Sequence, residues 1–141
     1  MHSFLITGGT PDQQVAQVIQ LLSSHFSLQF PTSHFQHPTS NPDVFLTDPA
    51  STTIGIDQIR NIIKFLSLKP YSSSHKIVFI PQAQRTTTEA QNAFLKTLEE
   101  PPAHSILFLT APTKDSLLPT VVSRCQVIEL APVSQVNLTK E

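Results

Sequence analysis

The segment Asn92-Ala-Phe-Leu-Lys-Thr-Leu-Glu-Glu-Pro-Pro102 carries the clearest structural signal in the chain. Around it, apolar positions recur at the spacing of one helix face, namely Ala90, Ala93, Phe94, Thr97 and Leu98. The opposite side is predicted to face solvent and carries Gln91, Lys96, Glu99 and Glu100. Because proline cannot continue a helix, Pro101 and Pro102 are predicted to end it.

Two further signals follow this helix. The run Ile106-Leu-Phe-Leu109 has no polar alternation, which predicts a strand covered on both faces, as in parallel sheets. Leu117-Leu-Pro-Thr-Val-Val122 predicts either a short helix or two turns, and Pro119 is well placed at a helix start. The next residues, Ser123-Arg124-Cys125, are predicted to form a turn that presents one arginine.

Five strand candidates alternate with helices along the whole chain. The candidates are residues 4–6, 43–47, 76–81, 106–109 and 126–130. The first helix is predicted on Val15, Ala16, Ile19 and Leu22, and the second on Ile59, Ile62, Ile63 and Leu66. Asp57 is a candidate cap for the second helix, and Thr86 or Thr88 for the third. The alternation predicts an α/β fold with a parallel sheet and helices on both faces.

The composition excludes several classes of protein. A chain of 141 residues with a net charge of −1 predicts one domain without the positive surface of a protein that holds nucleic acid alone. Its single cysteine, Cys125, excludes an internal disulfide and a cysteine zinc cluster. The start of the sequence does not have the pattern of a signal peptide, and no apolar run approaches the length of a membrane helix. We therefore expect a cytoplasmic protein with no membrane contact.

The turn after the first strand, Gly8-Gly9-Thr10, stands where a phosphate-binding loop would stand. Such a loop needs a lysine for the phosphates and a Ser or Thr for magnesium, and no Gly-Lys-Ser/Thr follows here. Asp12 would also place a negative charge beside a phosphate. A degenerate turn kept for packing is therefore favoured, and we expect no cofactor and no metal.

The segment 92–102 and the motif Ser123-Arg124-Cys125 together resemble the AAA+ clamp-loader subunits of bacterial DNA polymerase III. Ile54-Gly-Ile-Asp-Gln-Ile-Arg60 and Lys69-Pro-Tyr71 make the chain most similar to the delta-prime members of that family. The resemblance covers about residues 43–130, with a weaker match over 4–22. It implies a three-layer P-loop NTPase-like fold with the first of five parallel strands in the centre of the sheet. It also implies a degenerate AAA+ core over residues 1–131, followed by a helical lid and a helical collar. The sequence departs from the family there, since only a polar tail over 132–141 follows the core, and we expect no lid or collar domain in this chain.

The same resemblance bears on catalysis. Relatives that hydrolyse ATP carry Asp-Glu after the third strand, where this chain has Pro81-Gln82, so no intrinsic ATPase is expected. A polar residue that senses the γ-phosphate falls at Thr110 or Thr113, between which the sequence does not decide.

Other polar residues have plainer interpretations. His34 and His37 could ligate a metal, but surface histidines in a loop are favoured, since neither a cysteine nor a nearby carboxylate completes a set. Arg60 and Lys64 share a helix face, and a solvated surface is favoured over a DNA contact.

Arg124 has two interpretations. From its position alone, a surface ion pair is the commoner use of an arginine. The resemblance instead implies an arginine finger that reaches the nucleotide of a neighbouring subunit, with Ser123 and Cys125 positioning the turn. Cys125 is expected to be a small buried residue rather than a reactive thiol.

The leading hypothesis is a non-catalytic, delta-prime-like subunit that supports ATP-dependent loading of the sliding clamp in DNA replication. Its expected partners are ATP-binding gamma/tau-like and delta-like subunits, with the clamp and primed DNA met indirectly. Two alternatives remain open: an interaction module or truncated fragment in which Arg124 is incidental, and a protein that binds ATP at Gly8 and Gly9 in an unusual mode.

Overall fold

The computed structural model describes residues 2–36, 41–48 and 51–131. The five predicted strands form as β1 (Ser3–Thr7), β2 (Val44–Leu46), β3 (Lys76–Ile80), β4 (Ser105–Ala111) and β5 (Gln126–Glu129). The four helices are α1 (Pro11–Phe26), α2 (Ile56–Leu66), α3 (Thr88–Glu99) and α4 (Pro119–Val122). Short 3-10 helices occupy Thr32–Phe35, Ala83–Arg85 and Lys114–Ser116.

The strands form one parallel sheet in the order β2-β3-β4-β1-β5. β1 is an interior strand between β4 and β5, so its predicted central position is wrong by one place, and the middle strand is β4. All seven residues of β4 are buried, which confirms that the run from Ile106 to Leu109 is covered on both faces.

Helices cover both faces of the sheet, as predicted. On β1, Leu5 points to the face packed by α2, α3 and α4, while Phe4 and Ile6 point to the face packed by α1 and Phe35. The same alternation holds along β3 and β4, so the side chains form two hydrophobic layers around the sheet. The result is the predicted three-layer α/β architecture.

The helices differ from the prediction in which residues they bury. In α1, Ala16 is exposed, whereas Val18 and Leu21 are buried beside the predicted Val15 and Leu22. In α3, Ala90, Phe94 and Leu98 are buried as predicted, but so is Gln91, which was expected to face solvent. The Gln91 amide donates to the Thr86 carbonyl and accepts from the Leu118 backbone N–H, so its burial leaves both polar atoms bonded.

Two predicted helix caps are also wrong. Gly55 caps α2, and Asp57 lies inside its first turn. Thr87, between the two predicted threonines, caps α3 by accepting a hydrogen bond from the Ala90 N–H. Pro119 begins α4, as predicted.

Asp43 fixes the loop between α2 and β3. Its buried carboxylate accepts backbone N–H bonds from Tyr71, Ser72 and Ser73 at 2.6, 2.8 and 2.6 Å. Burial by itself raises the pKa of this carboxyl, but the N–H donors lower it more, so the pKa lies below its ordinary value.

No helix within residues 2–36, 41–48 and 51–131 has the length and apolar character needed to cross a bilayer. The predicted tail, residues 132–141, lies outside the described part of the chain.

Candidate functional site

The turn Gly8-Gly9-Thr10 lies at the carboxyl edge of the sheet, between β1 and α1. Both glycines have positive φ, 76° and 69°. A Cβ on Gly8 would lie 2.7 Å from the Leu130 carbonyl oxygen, so the turn packs directly against the chain after β5. This turn therefore requires glycine for its backbone path and its packing.

Two backbone N–H groups of this turn, those of Gly8 and Thr10, already have partners within the protein. Gly8 N–H donates to the Pro112 carbonyl at 3.1 Å. Thr10 and Gln13 form a reciprocal capping box, in which each backbone N–H donates to the other residue's side-chain oxygen. A phosphate-binding loop needs N–H groups of the turn and of the first helical turn free to face the ligand, and here those of Gly8, Thr10 and Gln13 are bonded elsewhere.

The carboxyl end of β3 carries Pro81 and Gln82. Gln82 has a left-handed φ of 54°, and its N–H donates to Thr110 Oγ1 at 3.0 Å. Thr110 is thus the candidate sensor residue that lies beside this strand end, whereas Thr113 is exposed and bonds Ser116. A cleft of about 300 Å³ lies here, with Asp12, Phe79 and Pro81 among its lining residues.

Arg124 lies at the opposite, amino edge of the sheet. Phe4, near the start of β1, pairs with Gln126, the first residue of β5. Arg124 therefore lies before the amino ends of both strands, while Gly8 follows the carboxyl end of β1. The two ends of a five-residue strand are about 13 Å apart at ~3.3 Å per residue. Arg124 and the glycine turn therefore do not share one site within this chain.

The Arg124 guanidinium is bonded at two points. Its Nε donates to Glu99 Oε2 at 3.0 Å, and its NH1 donates to the Thr120 carbonyl at 2.8 Å. Its side chain remains 30% exposed and borders a cleft of about 610 Å³. The cleft is also lined by His2, Ser3, Ala103 and the end of α3 from Leu98 to Pro101. Arg124 therefore borders this cleft together with the carboxylates of Glu99 and Glu100, and its guanidinium is the group there that suits an external anion.

The neighbours of Arg124 have structural roles. The Ser123 hydroxyl donates to the Thr120 carbonyl, and the Ser123 N–H to the Pro119 carbonyl, which closes the turn after α4. Cys125 is buried, and burial raises the pKa of its thiol to about 12. It is a small buried residue, as predicted, and it packs among the side chains of α3 and α4.

Sequence reasoning missed Glu99 as a partner of Arg124. Glu99 was placed on the solvent side of α3, where it does lie, but nothing local links it to a residue 25 positions later. Ser3 was missed as well, although its buried hydroxyl donates to the Leu98 carbonyl and joins β1 to the end of α3.

The other candidates lie away from Arg124. His34 is in the 3-10 helix Thr32–Phe35, with its ring beside Phe30, and His37 lies outside the described residues. Arg60 is on the exposed face of α2 and pairs with Asp57 at 3.6 Å. Lys64 is also exposed there.

The strand order β2-β3-β4-β1-β5, the two helical layers and the strand–turn–helix at Gly8 define a P-loop NTPase-like domain of the AAA+ class. The chain belongs to the family described as "DNA polymerase III, delta subunit", which matches residues 1–134.

Two delta-prime subunits of DNA polymerase III are similar to this chain. The Haemophilus influenzae protein is 38% identical over 99 residues, which is 70% of this chain and 30% of that protein. The Escherichia coli protein is 31% identical over 143 residues, which is 93% of this chain and 43% of that protein. The chain thus spans less than half the length of these relatives. Both confirm the delta-prime-like resemblance predicted from the sequence.

Solved structures agree on the fold. A gamma subunit-related protein of DNA polymerase III from Thermotoga maritima has a TM-score of 0.73 at 33% identity, covering 98% of this chain and 44% of that chain. RuvB of Thermotoga maritima, a Holliday junction branch migration motor, has a TM-score of 0.57 at 13% identity, covering 91% of this chain and 37% of that chain. The second likeness concerns the fold alone.

Proposed function

We propose that this chain acts as a non-catalytic, delta-prime-like clamp-loader subunit that supports ATP-dependent loading of the sliding clamp in DNA replication. Arg124 acts as an arginine finger on the nucleotide of a neighbouring subunit, in a turn that Ser123 and Cys125 hold in place. The partners are ATP-binding gamma/tau-like subunits and a delta-like subunit. The clamp and primed DNA are met through the assembled complex.

The position of Arg124 is the observation that carries this proposal. The guanidinium borders an open cleft at the amino edge of the sheet, while the degenerate glycine turn lies at the carboxyl edge. An arginine placed this way acts on something outside its own chain or not at all. Membership of the DNA polymerase III delta subunit family supports a nucleotide-bearing neighbour as that partner.

The chemistry at the carboxyl edge supports a non-catalytic role. Magnesium in P-loop enzymes is held by a hydroxyl of the loop and by an acidic residue after the third strand. At the position of the loop this chain has the turn at Gly8, whose N–H is bonded within the protein. After the third strand it has Pro81-Gln82. Neither proline nor glutamine supplies a carboxylate, so ATP turnover belongs to the neighbour in this proposal.

The test is the steady-state ATPase of the ATP-binding subunits, measured with clamp and primed DNA, in the presence and absence of this chain. We expect the chain to raise the rate, and we expect Arg124→Ala to remove the increase while still co-eluting with the subunits. An equal increase with Arg124→Ala would contradict the finger.

A scaffold role is the second candidate, and one observation favours it. Arg124 already has the carboxylate of Glu99 as a partner, which is the ordinary use of a surface arginine. A scaffold predicts that the partner subunits bind wild type and Arg124→Ala equally and that no ATPase rate changes. The experiment above separates the two roles.

A further inference from the structure

We propose that Glu99 positions Arg124 for its action on a neighbour's nucleotide. The guanidinium beside the cleft is then oriented before the nucleotide arrives. This inference rests on the proposed function. It assigns a role to the residue that ends α3, which sequence reasoning placed on a solvated helix face.

The guanidinium is held from two separate elements. Glu99 at the end of α3 accepts from Nε, and the carbonyl of Thr120 in α4 accepts from NH1. An arginine side chain is long and flexible, so a finger with no such support must be ordered when the phosphate arrives. Two bonds on two helices fix the guanidinium in advance.

The two bonds leave the arginine able to bind an anion. A guanidinium carries five N–H donors, and these contacts within the described residues engage one on Nε and one on NH1. The remaining donors suit the oxygens of a phosphoryl group, which prefers paired N–H contacts. The cleft beside the side chain leaves room for a partner to approach.

Glu99 is itself held in place by its surroundings. The buried Ser3 hydroxyl donates to the Leu98 carbonyl at 3.1 Å, which ties the last turn of α3 to β1. The Glu100 N–H donates to the Lys96 carbonyl and closes that turn before Pro101. The carboxylate of Glu99 therefore stands on a fixed helix end, which lets it fix the arginine in turn.

The exposure of the Glu99–Arg124 ion pair indicates whether Glu99 orients Arg124 for an incoming phosphate or holds it away from one. The Glu99 side chain is 58% exposed, so solvent screens the ion pair and makes it weak. A weak pair does not hold an arginine away from a phosphate in a water-poor site, where the phosphate is the stronger partner. The ion pair does orient the Arg124 side chain before the phosphate binds.

The experiment compares four variants in the ATPase assay of the assembled complex: Glu99→Ala, Glu99→Gln, Arg124→Ala and the double variant Glu99→Ala with Arg124→Ala. Glu89→Ala is the matched control, because Glu89 is an exposed glutamate in the first turn of the same helix and does not line the cleft. Each chain is titrated to separate the maximal stimulated rate from the concentration that gives half of it. Circular dichroism checks that each variant is folded.

Glu99→Ala should lower the maximal stimulation about two- to fivefold, the effect expected from losing an exposed ion pair, while the half-maximal concentration stays within about twofold of wild type. Glu99→Gln keeps an oxygen that accepts from Nε and should retain at least half of the stimulation. Glu99→Ala should have no further effect in the Arg124→Ala background, and Glu89→Ala should match wild type.

Wild-type stimulation by Glu99→Ala, or a rate above wild type, would overturn the positioning role and leave the finger intact. A raised half-maximal concentration with an unchanged maximal rate would also overturn it, because Glu99 would then support partner binding and not the arginine. Full stimulation by Arg124→Ala would instead overturn the proposed function on which the inference rests.

Discussion

Oε2 of Glu99 lies 3.0 Å from Nε of Arg124 and joins the end of α3 to the turn before β5 across 25 residues of sequence. The pair is at the surface, with side chains 58% and 30% exposed. We therefore expect Arg124→Ala to lower the free energy of unfolding by no more than about 1 kcal/mol, since exposed ion pairs contribute little. Urea denaturation measures this. A loss above about 2 kcal/mol would mean that the arginine supports the fold.

Asp43 is predicted to contribute far more to stability. Its carboxylate holds three backbone N–H groups of the loop before β3, so Asp43→Asn should lower the free energy of unfolding by about 2–4 kcal/mol. Urea denaturation at pH 7 checks this value. Asp57→Asn is the matched control, because its side chain is 91% exposed, and it should stay within about 0.5 kcal/mol of wild type.

The contribution of Asp43 should also depend on pH. Because its pKa is lowered in the folded protein from an ordinary 3.8, the stabilisation is complete above pH 3.8 and is lost as the pH falls through the lower folded pKa. The stability difference between wild type and Asp43→Asn should therefore stay constant from neutral pH down to about pH 5 and narrow in stronger acid. A difference that stays the same into strong acid would contradict this account of the loop.

Gly8 is predicted not to tolerate a side chain. Gly8→Ala would force an alanine to a φ of 76° with its Cβ 2.7 Å from the Leu130 carbonyl oxygen, at a cost of about 1–3 kcal/mol in unfolding free energy. Gly55→Ala is the control, because a Cβ there meets nothing within 4 Å, and it should cost less than about 1 kcal/mol. Equal effects of the two substitutions in thermal or urea unfolding would show that the turn is not tightly packed.

The glycine turn is predicted not to bind ATP. The N–H groups of Gly8, Thr10 and Gln13 have internal acceptors, and Asp12 in the first turn of α1 would repel phosphate. Titration with a fluorescent ATP analogue and Mg²⁺ should give no saturable signal up to millimolar ligand. Saturable binding that competes with unlabelled ATP would contradict this and favour the unusual binding mode.

Cys125 is predicted to resist thiol reagents in the folded protein. With a pKa of about 12, only about one molecule in 10⁴ carries a thiolate at pH 8, and the side chain is buried. A chromogenic disulfide reagent should react slowly with the native chain and at least 100-fold faster in denaturing urea. A fast reaction of the native chain would show that the turn at Ser123 opens readily.

The sheet was predictable because its inner strands have a distinctive composition. Residues 76–80 and 106–109 are nearly continuous apolar runs, and β3 and β4 are buried on both faces. The helix faces were less certain because alanine fits either side. Ala16 matched the predicted stripe but is exposed, whereas Val18 and Leu21 complete the face that packs on the sheet.

Contacts between distant residues could not be predicted. The burial of Gln91 depends on the backbone N–H of Leu118, which lies 27 residues later. Among three successive threonines, Thr87 caps α3, because Thr86 is buried before the helix and Thr88 is already its first residue. The motif at Arg124 was visible in the sequence, but its partner Glu99 was not, because only the fold brings the end of α3 beside the turn between α4 and β5.

The most direct test of the finger is single-turnover hydrolysis of γ-labelled ATP by the complex assembled with this chain, clamp and primed DNA. It reports the chemical step, in which an arginine finger contributes about 10³–10⁵ in rate at the site it reaches. Arg60→Ala is the control, since Arg60 is an exposed arginine on α2. We expect Arg124→Ala to abolish the fast phase of one site and Arg60→Ala to preserve it. A full fast phase with Arg124→Ala would contradict the finger.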